Sequence, residues 1–205
     1  MVMDLCPGET LTAILEKRRK IPGPEAIQLL LPVLHALDHA HGKGVIHRDL
    51  KPANLMVFRN EQWQVEVKIL DFGIAKLLDR AGLKDDESQV NTAGMRMGTP
   101  QYMSPEQAQG LEINTRTDLY SLGVILYTMV TGAHPFRGNT PAEVMKKVLL
   151  DPMPPFSAHG AADDPRGLEA VIARLLSKSP ESRPAGAREL AATLEKLLSA
   201  PDAPA

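Results

Sequence analysis

Four polar side chains lie in two short motifs of this sequence, HRDLKPAN, which begins at His47, and DFG. Asp49 can accept a proton, and Lys51 places a cation two residues further along the chain. Asn54 and Asp71 supply side-chain oxygens, the ligands that hard divalent cations prefer. A proton acceptor, a phosphate-binding cation and two metal ligands together suit phosphoryl transfer, because positioning and charge neutralisation supply most of the catalysis of that reaction.

A third motif, GTPQYMSPE at residues 98–106, follows the first two in the chain. In this order the motifs resemble the catalytic loop, the magnesium-binding DFG and the end of the activation segment of protein kinases, with Ser104 in place of the commoner alanine. The residues of the HRDLKPAN and GTPQYMSPEQA motifs are most similar to those of eukaryotic-like (bacterial Hanks-type) serine/threonine protein kinases. The resemblance covers about residues 1–198, which we interpret as the hinge and C-terminal lobe of a kinase domain, and leaves residues 199–205 as a linker-like tail.

The resemblance implies roles for the residues of the first two motifs. Asp49 would be catalytic, accepting or orienting the proton of the substrate hydroxyl, and Lys51 would neutralise the γ-phosphate of ATP. Asn54 and Asp71 would hold Mg²⁺. The lysine two residues after Asp49, together with Thr99, resembles serine/threonine kinases rather than tyrosine kinases.

The resemblance also places the nucleotide. Asp4 and Cys6 lie in a segment similar to the kinase hinge, where backbone groups would contact adenine. Lys51, Asn54 and Asp71 would contact the phosphates directly or through Mg²⁺. Met56 would form the floor of the adenine pocket, although a core methionine would show the same pattern.

Other matched positions are expected to be structural. His47 would be a packed scaffold residue, and Asp118 would brace the backbone of the catalytic loop. Arg183 lies where the family has an arginine that pairs with Glu106. Thr99 is also expected to be structural.

Arg48 resembles the arginine of kinases whose activation segment is ordered by phosphorylation, because a phosphate gives a guanidinium a bidentate partner. Thr92 is the first candidate for that phosphorylation and Ser88 the second.

The elements that must position these residues are mostly helices. Thr10 predicts the start of a short helix, and Pro24 is expected to be the first residue of a longer one. Apolar runs at Val45–Ile46, Leu55–Phe58 and Val65–Leu70 predict a strand region with a small β-hairpin.

The segment from Asp118 to Gly132 is apolar nearly all round, which predicts a buried helix, and later amphipathic segments predict further helices. The expected fold class is therefore α+β, mostly α: a protein-kinase-like C-terminal lobe with a small β-hairpin. The glycine-rich loop, the lysine and the αC glutamate of an N-terminal lobe are not found, so we expect that lobe to be largely absent.

Composition limits the partners. The 205 residues carry 23 Lys and Arg against 25 Asp and Glu, a net charge of −2, so no global basic field indicates nucleic acid as a partner. A single cysteine predicts a reducing compartment. The longest apolar stretch, Leu122–Val130, is too short to be a membrane segment. We expect a cytoplasmic protein, or the cytoplasmic part of a larger membrane-anchored one, that acts on protein Ser/Thr hydroxyls and could dimerise through kinase domains.

Alternatives remain open at this point. A non-catalytic C-terminal lobe could serve as a docking or scaffold module, although such a module has no physical need for Asp49, Lys51, Asn54 and Asp71 together. A small-molecule phosphotransferase would not explain Arg183 or the GTPQYMSPE motif. A separate group of residues includes two histidines four positions apart that could ligate a metal, but no further ligand set is evident and an ordinary helix face is favoured. The residues of this group are His35, Asp38, His39 and His41.

Overall fold

The first helix, α1 (Leu11–Arg18), begins where the sequence predicts. The hydroxyl of Thr10 accepts a hydrogen bond from the backbone N–H of Ala13 at 3.2 Å and so caps the helix. The second helix, α2 (Gly23–Gly42), starts one residue before the predicted Pro24 and continues through Pro32. This computed structural model describes residues 8–72, 100–160 and 167–199.

A small antiparallel sheet follows α2. Strand β2 (Leu55–Arg59) pairs with β3 (Val65–Ile69), which confirms the predicted hairpin. The other edge is formed by β1 (Glu9–Thr10), so the strand order is β1-β2-β3. The strand interpretation of Val45–Ile46 was wrong, because the N–H of Val45 donates to Ala40 O at 3.0 Å and closes the end of α2.

The later helices surround one long buried helix. A short helix, α3 (Pro105–Ala108), precedes α4 (Thr115–Thr131), the buried helix that the apolar pattern predicts. Three amphipathic helices follow: α5 (Pro141–Leu150), α6 (Leu168–Leu175) and α7 (Ala187–Ser199). Ser199, which the sequence placed in the tail, still belongs to α7.

Single turns of 3₁₀ helix connect these elements, at Pro52–Asn54, Pro100–Tyr102, Phe156–His159 and Pro180–Ser182. Helix α4 lies at the centre of the core, and α2 packs against α4, α7 and β3. At Gly123 a Cβ would lie 2.7 Å from Leu175 Cβ, so only glycine allows α4 and α6 to approach this closely. Among the described residues, no helix is long and apolar enough to cross a membrane.

Candidate active site

One buried carboxylate organises the loop between α2 and β2. Asp118, in the first turn of α4, accepts hydrogen bonds from the backbone N–H groups of His47 and Arg48, both at 2.9 Å. His41 Nε2 donates to the same carboxylate at 2.8 Å. Arg48 has φ of +70°, a conformation that costs free energy in a non-glycine residue. The hydrogen bonds to Asp118 therefore hold the loop in a backbone shape that it would otherwise leave.

His47 connects this loop to the segment after β3. Its ring is fully buried, with Nδ1 accepting from Asp49 N at 3.3 Å and Nε2 donating to Leu70 O at 2.9 Å. The ring also lies 4.9 Å, centre to centre, from that of Phe72. Both ring nitrogens are occupied by backbone groups, an arrangement of the kind expected of a scaffold residue.

The polar residues of the first motif contact one another. Lys51 Nζ donates to Asp49 Oδ2 at 2.7 Å, and Asn54 Nδ2 donates to Asp49 O at 2.9 Å. Asn54 is buried, whereas the Asp49 side chain is 52% exposed. The carboxylate of Asp49 can therefore meet a substrate from solvent while its backbone is held from behind.

Asp71 is tied to the same loop through its neighbour. The N–H of Leu70, the residue after β3, donates to Asn54 O at 2.8 Å, and Asp71 follows it with φ of +54°. Leu70 therefore links the two residues predicted to hold Mg²⁺: its N–H binds the backbone of Asn54, and Asp71 is the next residue in the chain. In the part of the chain that the structure describes, no group of three or more His, Cys, Asp or Glu side chains could hold a metal ion. The histidines and the aspartate of α2 considered above therefore form no such group, and His41 instead pairs with Asp118.

A second buried ion pair lies behind the site. Arg183 donates from Nη1 and Nη2 to the two carboxylate oxygens of Glu106, both at 2.8 Å, and Thr117 Oγ1 donates to Glu106 at 2.7 Å. Burial alone raises the pKa of Glu106, but the hydrogen bond from Arg183 and its charge outweigh this and hold the pKa below its usual value. The remaining donors of Arg183 reach three backbone carbonyls, those of Ser177, Arg116 and Lys178.

Gln107 is a site-supporting residue that the sequence interpretation missed. Its Nε2 donates to Arg48 O at 2.8 Å, so α3 contacts the backbone of the loop between α2 and β2 directly. The same side chain forms a capping box with Ser104, whose hydroxyl accepts from Gln107 N at 3.3 Å. The spacing of a serine and a glutamine three residues apart indicates such a box, but nothing local indicates the contact with Arg48.

The other predicted site residues divide into two groups. Met56 lies on β2 opposite Lys68 and is half-buried. Five lie outside the described residues: Asp4, Cys6, Ser88, Thr92 and Thr99.

Comparison with known proteins identifies the class to which this fold and site belong. The family described as the protein kinase domain matches residues 1–194, so the chain belongs to the protein kinase family. It is 41% identical over 198 residues to serine/threonine-protein kinase pkn3 of Myxococcus xanthus, covering 96% of this chain and 36% of that protein. It is 41% identical over 207 residues to PknB of Mycolicibacterium smegmatis, covering 100% of this chain and 31% of that protein.

The chain therefore spans about a third of the length of these relatives, which are bacterial serine/threonine-protein kinases as the sequence predicts. Among solved structures, a mutant kinase domain of Mycobacterium tuberculosis PknI matches with a TM-score of 0.66 and 25% identity. That match covers 95% of this chain and 64% of the PknI chain.

Proposed function

We propose that the protein transfers the γ-phosphate of ATP to serine and threonine hydroxyls of protein substrates. The observation that supports this most directly is the linked set of Asp49, Lys51 and Asn54 on a loop whose backbone is held by Asp118. A module that only docked partners would not need a half-exposed carboxylate with an ammonium group 2.7 Å away.

In the proposed reaction the carboxylate of Asp49 accepts the proton of the substrate hydroxyl. The hydroxyl oxygen then forms a bond to the γ-phosphorus as the bond between that phosphorus and the bridging oxygen of ADP breaks, and ADP leaves with the bonding electrons. Lys51, beside Asp49, neutralises negative charge on the phosphoryl group during this step. The half-exposed position of Asp49 leaves the carboxylate open to a substrate hydroxyl.

Asn54 and Asp71 fit a magnesium site because they offer an amide oxygen and a carboxylate, the hard ligands of that ion. Asn54 uses Nδ2 as its donor to Asp49, which leaves its Oδ1 for a ligand. When bound, Mg²⁺ supplies positive charge next to the phosphates. Met56, with Asp4 and Cys6 in the hinge-like segment, is proposed to contact the nucleotide.

We propose further that the chain comprises a hinge and C-terminal lobe over residues 1–199, to the end of α7, and a linker-like tail over residues 200–205. The match to the solved PknI chain supports this, since 95% of this chain aligns with only 64% of that one. Removing one preorganised charge-stabilising group can cost about 3 kcal/mol, or about a hundredfold in rate. A C-terminal lobe by itself is therefore expected to bind ATP weakly and to transfer little phosphate.

Phosphorylation of Thr92, or secondarily Ser88, is proposed to order the activation segment through Arg48. The backbone of Arg48 is held on both sides, by Asp118 at its N–H and by Gln107 at its carbonyl. Its side chain makes no hydrogen bond within the described residues, so the guanidinium is available to a phosphate. Phosphopeptide mapping of an active form should find one of these two residues modified and Thr99 unmodified.

The test compares the 205-residue chain with a chimaera in which the N-terminal lobe of the Mycolicibacterium smegmatis PknB precedes it. Transfer of labelled phosphate to a generic protein substrate should be seen with the chimaera and should be close to background with the chain alone. The Asp49→Asn chimaera should lose about a hundredfold or more in rate, because it lacks the proton acceptor. Lys146→Ala on the exposed face of α5 is the matched control and should keep full activity.

The outcomes separate the two proposals. A folded chimaera that binds ATP and transfers no phosphate would contradict the kinase activity and favour the docking module. If the chain alone were as active as the chimaera, the activity would stand and the C-terminal-lobe proposal would be wrong.

A further inference from the structure

The peptide unit that joins Arg48 to Asp49 is held at both of its polar groups. Its carbonyl, Arg48 O, accepts a hydrogen bond from Gln107 Nε2 at 2.8 Å. Its N–H, that of Asp49, donates to His47 Nδ1 at 3.3 Å. A peptide unit is planar, so its C=O and its N–H turn together, and both hydrogen bonds oppose any rotation of the plane. The orientation of this plane helps to set the direction in which the Asp49 side chain leaves the backbone.

Little else holds the carboxylate of Asp49 in place. The preceding residue, Arg48, has φ of +70°, a conformation that persists only where the surroundings enforce it. The Asp49 side chain is 52% exposed, and among the described residues only Lys51 donates a hydrogen bond to its carboxylate. Lys51 is itself proposed to act on the phosphoryl group. The position of the carboxylate therefore depends on the backbone that carries it.

The side-chain amide of Gln107 can make its contacts in one orientation only. The side chain is buried, and its Oε1 accepts from Ser104 N at 3.1 Å while its Nε2 donates to Arg48 O. If the amide were turned over, its oxygen would face the carbonyl of Arg48 and its NH₂ group would face the N–H of Ser104, so that both hydrogen bonds would be lost. Gln107 therefore joins a donor at the start of α3 to an acceptor in the loop between α2 and β2.

The capping box of α3 needs only the oxygen of this amide. Glutamate serves as well as glutamine at this position of a box, because only an acceptor meets the N–H of the capping residue. The contact with Arg48 O needs a donor, which a carboxylate lacks. The requirement for glutamine at position 107 therefore comes from the loop and not from the helix.

We propose that Gln107 is a positioning residue for phosphoryl transfer, which holds the peptide unit between Arg48 and Asp49 and so directs the Asp49 carboxylate towards the substrate hydroxyl. This inference rests on the proposed function, because it gives Gln107 a part in that reaction. The hydrogen bonds from Asp118 do not replace it, since they hold the N–H groups that precede this peptide unit. A displacement of a reacting group by about 1 Å can lower a rate about a hundredfold.

The kinetic test uses the chimaera that carries the N-terminal lobe of PknB. Gln107→Met keeps the length of the side chain and removes the donor, so kcat should fall about tenfold or more. The KM for ATP should change less than about twofold, because the nucleotide is not bound by Asp49. Ser104→Ala is the matched control: it removes the hydroxyl that accepts from Gln107 N at 3.3 Å and leaves both hydrogen bonds of the amide. Its kcat should stay within about twofold of the wild-type value.

Gln107→Glu separates the contact with Arg48 from the capping box. The carboxylate still accepts from Ser104 N, and its place in the first turn of α3 favours the ionised form. It cannot donate to Arg48 O and repels that oxygen instead. At pH 8 the kcat of this variant should therefore fall about as far as that of Gln107→Met.

A second measurement does not depend on catalysis. In the 205-residue chain, hydrogen exchange of a peptide covering residues 47–50 should be about tenfold faster in Gln107→Met than in Ser104→Ala, because the released peptide unit opens locally. Exchange across α4 should be the same in the two variants. That comparison excludes a general loss of stability as the cause.

The proposal would be overturned if either Gln107 variant kept a kcat within about twofold of the wild type, or if Ser104→Ala lost as much activity as they did. Equal exchange of residues 47–50 in Gln107→Met and Ser104→Ala would also overturn it. If the wild-type chimaera transferred no phosphate, the proposed function would be contradicted before any variant was compared. Hydrogen exchange would then decide by itself whether Gln107 holds the loop.

Discussion

Asp118 is the residue on which the geometry of the candidate active site depends most. It is 1% exposed in its side chain and accepts from two backbone N–H groups of the loop and from His41. A buried carboxylate is tolerated only where donors surround it, and here the donors belong to the loop that it positions. His41 therefore helps to hold the Asp118 carboxylate, a contact that its position on a helix face did not indicate.

Asp118→Asn should destabilise the chain by about 2–3 kcal/mol, because the amide turns an N–H group towards at least one of the backbone donors and leaves it unsatisfied. Urea denaturation of the 205-residue chain measures the change in the free energy of unfolding. Asp38→Asn is the control, since Asp38 pairs with the 86% exposed side chain of Arg188 and should matter by less than about 1 kcal/mol. Equal effects of the two substitutions would contradict the central place of Asp118.

The titration of His134 should make the stability of the fold depend on pH. The side chain is buried after α4, where Phe136 N donates to its Nδ1 at 3.2 Å, and burial lowers its pKa from 6.5 to about 4. Between these two values the unfolded chain takes up a proton that the folded chain does not, so the free energy of unfolding falls as the pH falls. Burial of the neutral ring thus makes the folded chain about 3 kcal/mol less stable below about pH 4 than above pH 6.5.

His134→Asn keeps an acceptor for Phe136 N and removes the titration. Between pH 7 and pH 5 the wild-type chain should therefore lose about 2 kcal/mol more stability than the variant. Urea denaturation at the two pH values gives the comparison. If the free energy of unfolding of the variant depended on pH as steeply as that of the wild type, burial of a neutral His134 would not be the cause of the pH dependence.

At the scale of elements, the Glu106–Arg183 pair joins parts of the chain that are far apart in sequence. Glu106 lies in α3, Thr117 in α4, and Arg183 just after the 3₁₀ turn that precedes α7. The guanidinium also stacks 4.9 Å from the ring centre of Tyr120 in α4. Because every donor of Arg183 is used, removal of the side chain leaves both a carboxylate and several carbonyls without partners.

Arg183→Met should lower the free energy of unfolding by about 3–5 kcal/mol, the range for breaking a buried ion pair on one side. Arg188→Met is the matched control, since its pair with Asp38 is exposed and worth less than about 1 kcal/mol. Chemical denaturation of both variants at neutral pH tests this. A small and equal loss in both would mean that the buried pair does not hold α3 to the segment before α7.

At the scale of the whole molecule, the core forms around α4. Nearly every face of this helix is covered: Leu119, Ile125 and Tyr127 are fully buried, and Gly123 allows α6 to pack directly on its backbone. Helices α2 and α6 cover it, and α7 in turn packs on α2. The loop that carries Asp49 is thus attached, through Asp118, to the most buried element of the described structure.

Hydrogen exchange of the 205-residue chain should show its slowest amides in α4, because these open only when the core unfolds. Amides of α7, which is exposed along one face, should exchange faster. Mass spectrometry with peptide-level resolution measures both. Fast exchange across α4 with protection elsewhere would contradict its central position.

The sequence alone was sufficient for the elements and motifs whose signals are local. The Thr10 cap, the β2–β3 hairpin and the buried helix near Asp118 could be predicted because caps, alternation and apolar periodicity depend on neighbours within a few residues. The kinase resemblance rested on motifs of contiguous residues for the same reason, and the family match confirmed it.

Tertiary structure alone decided the contacts between distant residues. His41 meets Asp118 across 77 positions of sequence, Gln107 meets Arg48 across 59, and β1 completes the sheet by pairing with β2. The groove between α1, the start of α2 and the β2–β3 hairpin also exists only once these elements have packed together. Each of these contacts depends on how whole elements pack, and packing depends on the shape of the entire core rather than on any short stretch of residues.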